Sequence, residues 1–234
     1  MTAQPARRAD YCAIACAEAF RGDGELLVSP MAPIPALGAR FAQASFEPLL
    51  VLSEDAQLTY KRVFDVVWWG RRHVMMGASQ IDRFGNQNIS CIGPHAQPKV
   101  MLLGVRGAPG NTINHATSYW VGRHNRRIFV PQVSMVSGIG TDKARALGDG
   151  GRFFDLRVVV TNLGVFDFNT DDGGMRARSL HPGVTAQAVA EATGFDVQSL
   201  DAAPTTAAPT AEQLALLAAL DPQGKRFKRV PDPE

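Results

Sequence analysis

The chain carries three cysteines in 234 residues, too few and odd in number for a disulfide scaffold or a four-ligand zinc site. Cys12 and Cys16 fall four apart in an alanine-rich helical pattern, which predicts buried, reduced thiols. No apolar stretch approaches the roughly 20 residues a membrane-spanning helix needs. The first residues, with Arg7 and Arg8 ahead of a run broken by Glu18, lack the apolar centre of a signal peptide. A cytoplasmic location away from any membrane is therefore expected. Charge of one sign is missing as well. With 24 basic and 22 acidic residues and a net charge of +2, no general field recruits nucleic acid or an anionic lipid surface. There is no Gly-x-Ser-x-Gly nucleophile elbow, no Walker loop and no dinucleotide fingerprint. The five histidines, His73, His95, His115, His124 and His181, are not spaced with acids or cysteines as metal ligands are. No metal is expected.

What is present is enough apolar material, 45% of residues, to bury a full core in one domain. Ala9, Cys12, Ala13, Cys16, Ala17 and Phe20 recur at helical spacing, and Gly22 and Gly24 end the pattern. Leu26 to Val28 reads as a strand stopped by Pro30. Pro33 and Pro35 introduce a helix from Ala36 to Ala44, and Leu49 to Leu52 reads as a strand. Lys61 to Arg72 reads as a helix with Phe64, Val67, Trp68 and Arg71 on one face, Trp68 and Trp69 being packing residues, and Val74 to Met76 as the next strand. This alternation favours parallel pairing. Val100 to Leu103, Ile128 to Val130 and Val158 to Val160 are predicted core strands. Thr185 is a predicted N-cap for a helix from Ala186 to Ala192, and Thr210 with Gln213 a capping box for a helix ending near Leu220. The reading divides the chain into an α/β domain, residues 1–200, and a linker, helix and basic tail, residues 201–234, the tail being solvated or partner-facing.

Two polar loops are candidates for chemistry. Residues 77–88 end an apolar strand with Gln80, Asn86, Gln87 and Asn88. Side-chain amides both donate and accept, so the cluster is suited to holding a carbonyl or amide. It reads equally as a hairpin turn at Arg83-Phe84-Gly85-Asn86. Residues 107–115, Gly-Ala-Pro-Gly-Asn-Thr-Ile-Asn-His, combine turn residues with hydrogen-bonding side chains. Exposed backbone N–H groups in such a loop suit an oxyanion; the alternative is a glycine-rich connection capped by Asn111 and Asn114. Glu54, after the strand at Leu49 to Leu52, is the acid best placed to face a cleft at the same end as Gln80. The alternative is a solvated loop carboxylate.

Residues 77–88 resemble the Gly-x-x-Gln-Val-Asp-x-x-Gly-Asn-x-Asn signature of the β subunits of class I CoA-transferases, and His181-Pro182-Gly183-Val184-Thr185 with Thr193-Gly194-Phe195 is similar to that family's C-terminal motif. The resemblance implies an open α/β fold, a largely parallel central sheet flanked by helices in a single domain. It also implies an α subunit of related fold, in a heterodimer and by family expectation a heterotetramer. Trp69 to Val74, Gly104 to Trp120 and Ser137 to Gly140 are similar to the β subunits of a narrower group, the IpdAB-type steroid-ring hydrolases. That likeness implies opening of the last steroid ring of a cyclic β-keto acyl-CoA by a retro-Claisen hydrolysis, with CoA retained and no cofactor. The water-activating acid is then expected on the α subunit. This chain would contribute shape and donors: Gln80, Asn86, Asn88, Gly110, Asn111 and Asn114. Transferases of the class form a glutamyl-CoA thioester on the glutamate of a Ser-Glu-x-Gly motif; Ser53-Glu54-Asp55-Ala56 keeps the acid and lacks the glycine that permits close backbone approach. Two other readings stand beside the hydrolase: a transferase acting through Glu54, and a non-catalytic scaffold for the α subunit.

Overall fold

The computed structural model describes residues 5–55, 65 and 72–232. The predicted helix at Lys61 to Arg72 and the packing of Trp68 and Trp69 lie outside the described residues, except that Arg72 opens a strand. Among the described residues the principal sheet has seven strands: β1 (Leu27–Pro30), β2 (Val51–Leu52), β3 (Arg72–Met76), β8 (Ala116–Val121), β9 (Asp155–Thr161), β10 (Gly164–Asp167) and β11 (Arg176–Leu180). Their order is β11-β10-β9-β8-β3-β1-β2. From β2 to β9 every pairing is parallel, and β10 and β11 close one edge antiparallel. The largely parallel α/β architecture is as the sequence predicts. No helix among the described residues is long and apolar enough to cross a membrane.

Consecutive strand residues point to opposite faces, and β3 shows how the two cores are built. Met75 joins Cys16, Phe20, Phe41 and Val160 under α1 (Arg8–Glu18) and α2 (Pro33–Ser45), whereas Val74 and Met76 join Ile81, Tyr119, Phe129 and Phe166 on the other side. Helix α2 begins three residues earlier than predicted, because Pro33 at its first position lacks only an N–H that would be unpaired anyway.

Several expectations need correction. Val100 to Leu103 is not a core strand. β7 (Val100–Met101) pairs with β6 (Cys91–Ile92) in a separate ribbon, and Val100, Met101 and Leu103 are 49%, 63% and 70% exposed. Ile128 to Val130 forms an isolated bridge to Ile81 rather than a strand. The loop after Gly107 is a helix, α3 (Ala108–Asn114), started by a proline in its first turn. Beyond α4 (Thr141–Ala146), the helices α5 (Ala186–Ala192) and α6 (Ala211–Leu220) begin at Thr185 and Thr210 with the predicted side-chain caps. The basic tail is packed: in α7 (Lys225–Arg229) the buried Arg226 donates from Nε to Asp10 at 2.7 Å and from Nη1 to Asp221 at 3.1 Å. Val230 joins the core beside Leu217.

Candidate active site

The carboxyl end of β3 opens directly into Gly77-Ala78-Ser79, and these residues form one wall of a cavity of about 700 Å³. Arg106, Gly107 and, from the start of α3, Ala108, Gly110 and Asn111 also line it, with Met31, Met76, Ile89 and Leu103 among its apolar residues. Ligands in open α/β sheets bind at strand carboxyl ends. Two polar side chains meet in this largely apolar space. Arg72 donates from Nε to Ser29 Oγ at 2.9 Å and from Nη1 to Asn111 Oδ1 at 3.1 Å. Burial holds the Arg72 guanidinium below its ordinary pKa. Asn111 is itself buried, and its Nδ2 lies 3.3 Å from Met76 Sδ.

The predicted site residues separate into two sets. Gly110 and Asn111 line the cavity. The Asn111 N–H is not an oxyanion donor, since it bonds to Gly107 O at 2.9 Å within the first helical turn. Asn114 faces away and its Nδ2 donates to Gly110 O at 3.2 Å. Gln80, Asn86 and Asn88 do not line the cavity; their amides build the hairpin of β4 (Gln80–Ile81) and β5 (Gln87–Asn88). Gln80 Oε1 accepts from Asn88 Nδ2 at 2.7 Å and Ser134 N at 2.9 Å. Asn86 Nδ2 donates to Asp82 and to Asp142 Oδ1, and its Oδ1 accepts from Gly140 N at 2.8 Å. Asp82, buried beneath this turn, has its carboxyl pKa raised by desolvation. The hairpin turn read from the sequence forms, with Gly85 at φ +79° in it. Of the four amides Gln87 alone reaches the cavity wall, its Nε2 donating to Gly77 O.

Glu54 lies in the turn after β2 and pairs with Arg40, which also holds Asp55 at 2.9 Å. It is not among the residues lining the cavity. Sequence reading missed Arg72 as a site residue; the available signal was a cation at the head of Arg-His-Val-Met-Met, a strand otherwise built for burial. A second constellation lies on the opposite face of β3. His73 Nδ1 meets Asp23 Oδ2 at 2.7 Å and its Nε2 meets Ser118 Oγ at 2.9 Å. Despite its Ser-His-Asp composition it is a packing device: Ser118 and His73 are fully buried, Phe20 stacks edge-on against the imidazole, and Arg157 completes Asp23 at 2.6 Å.

This arrangement of strands is that of the CoA-transferases. Glutaconate CoA-transferase from Acidaminococcus fermentans superposes with a TM-score of 0.82 at 20% identity, over 97% of this chain and 98% of that one. The IpdAB crystal structure from Rhodococcus jostii RHA1 superposes with a TM-score of 0.92 at 49% identity, over 97% of this chain and 99% of that one. The cholesterol ring-cleaving hydrolase IpdB subunit of Mycobacterium tuberculosis is 49% identical over 245 aligned positions, 95% of this chain and 98% of the relative. No protein-family model matches the chain. The chain belongs to the IpdB family of ring-cleaving hydrolase subunits, within the CoA-transferase fold.

Proposed function

We propose that this chain is the β subunit of a heteromeric hydrolase that opens the last steroid ring of a cyclic β-keto acyl-CoA, paired with an α subunit of related fold. The observation that carries this reading is the make-up of the cavity. Its apolar walls suit a compact hydrocarbon ring, and its polar lining includes the Arg72 guanidinium and the Asn111 amide, donors for negative charge, beside Ser79, Gln87 and Arg106. In the reaction, a base on the α subunit takes a proton from water as its oxygen bonds to the ring carbonyl carbon. The tetrahedral alkoxide then collapses to a carboxylate, and the electrons of the broken carbon–carbon bond leave as an enolate that is protonated. CoA stays attached throughout. A donor aimed at the developing oxyanion contributes about 3 kcal/mol, and acid–base chemistry of this kind uses no cofactor beyond the CoA the substrate carries. The three cysteines, all buried and unpaired, accord with a reducing cytoplasm.

Transfer through a glutamyl-CoA on Glu54 ranks second, because that carboxylate is held by Arg40 outside the cavity wall. Mass spectrometry of CoA species decides between them. The coexpressed complex, given the cyclic keto-acyl-CoA, is expected to yield a product heavier by one water and still bearing CoA, with or without acetate or succinate. Glu54→Ala is expected to keep that activity within about threefold. Acceptor-dependent acetyl-CoA or succinyl-CoA, abolished by Glu54→Ala, would overturn the hydrolase reading.

A further inference from the structure

Guanidinium groups packed into this chain differ in their partners: the buried Arg8 donates to the carbonyls of Asn162 and Pro182, while others are matched by acids. Arg226 has Asp10 and Asp221, and Arg157 has Asp23 and Asp155. Arg72 lines the cavity with only neutral partners, Ser29 Oγ and Asn111 Oδ1, and no carboxylate among the described residues pairs with it. Of the five N–H donors a guanidinium carries, those two bonds use two, and no further partner is seen among the described residues. Burial disfavours its charge, and no carboxylate among the described residues offsets that cost. The two bonds it does make are positional: they tie β1, β3 and α3 together and fix the plane of the fork at the cavity wall.

A planar cation held rigidly in an apolar cavity matches a carboxylate, which it can take with two parallel hydrogen bonds. The substrate end that undergoes hydrolysis enters as a neutral ketone and leaves as a carboxylate. We propose that Arg72, steadied by Asn111 and Ser29, seats the carboxylate created by ring opening and attracts the alkoxide that precedes it; this rests on the hydrolase reading above. Because the charge is absent from the bound substrate and grows along the reaction, Arg72 acts on the chemical step and on product release more than on substrate capture.

The test uses the coexpressed complex and two variants. Arg72→Met removes charge and donors; Arg72→Gln removes the charge and keeps an amide with two of the five N–H donors. In both, kcat for ring opening is expected to fall at least 10-fold while KM changes less than threefold. Cyclohexanecarboxylate and the neutral cyclohexanecarboxamide serve as probes in calorimetric titrations. Wild-type complex is expected to prefer the carboxylate at least 10-fold, and both variants to bind the two probes within about twofold of each other. This ratio is insensitive to the fraction of complex that is folded. A preference retained in Arg72→Gln, or no preference in wild type, overturns the proposal. If wild-type complex opens no ring, the functional reading fails, and the titrations still decide whether Arg72 seats an anion.

Discussion

At the scale of single residues, an amide cluster that looks like a binding surface can instead be the fastening of the turn that carries it. Asn88 has no exposed surface. Its Nδ2 donates to Gln80 Oε1 and Cys91 O, each at 2.7 Å, and its Oδ1 accepts from Ser90 N at 2.9 Å. Truncation strands several buried groups at once, at a cost of about 3 kcal/mol. Asn88→Ala is therefore expected to lower the Tm of the complex by about 8 °C, with turnover per folded complex within threefold of wild type. Asn111→Ala should show the opposite pattern, a 10-fold or greater loss of turnover with a smaller change in Tm. Differential scanning calorimetry beside active-site-normalised rates checks both, and a catalytic collapse in Asn88→Ala at unchanged Tm would return the hairpin amides to the reacting centre.

At the scale of elements, what was legible in the sequence was what local chemistry dictates. Thr185 and Thr210 marked their helices because the hydroxyl cap is a short-range bond to the N–H three residues on. The small-residue face of α1 was legible from spacing alone. Elements set by long-range contacts were not. β8, Ala-Thr-Ser-Tyr-Trp-Val, reads as half polar yet lies mid-sheet, because Thr117 and Ser118 find partners in Asn111 and His73. α3 was hidden by Gly107, Gly110 and two asparagines, residues that punctuate chains more often than they build helices. Apolar β7 was misread as core because an apolar run reports low polarity, not its cover. The α1–α2 contact supplies a decisive prediction. A Cβ at Gly38 would fall 2.8 Å from Cys16 Cβ and 2.9 Å from the Ala17 backbone nitrogen. Helix propensity alone favours Gly38→Ala by about 1 kcal/mol; overpacking against rigid backbone costs about 1–3 kcal/mol. Since the clash involves backbone, net destabilisation of about 1 kcal/mol is expected, read as a lower urea midpoint of the complex. A raised midpoint would mean the helices can part freely at this point.

At the scale of the whole molecule, imidazoles kept neutral by burial hold the sheet to the segments around it, which makes the fold sensitive to acid. His181 bonds through Nε2 to Thr161 O at 3.1 Å and meets Thr206 Oγ1 at 3.1 Å, linking the sheet to the segment that leads to α6. Burial, with Arg8 nearby, lowers its pKa to about 4. His124, stacked on Phe129 at 3.6 Å and bonded to Thr193, is lowered to about 3 by burial. Unfolded, both titrate near 6.5, so between that value and their folded values the unfolded chain binds more protons and stability falls as pH falls. Their contribution is complete above about pH 6.5, and about 2 kcal/mol from each is lost by pH 5. The raised carboxyl of Asp82 works in the opposite direction, while the lowered carboxylates Asp221 and Asp232 lose their contribution only below their ordinary range near 3.8, so the histidines govern the upper part of the window. The complex is expected to lose Tm steeply between pH 6.5 and 5, and His181→Gln, which can still donate to Thr161 O, to flatten that slope while lowering Tm little at pH 7.5. Because the α subunit titrates identically in both complexes, the difference between the two Tm–pH curves isolates His181. Parallel curves would show that its proton is not what the fold excludes.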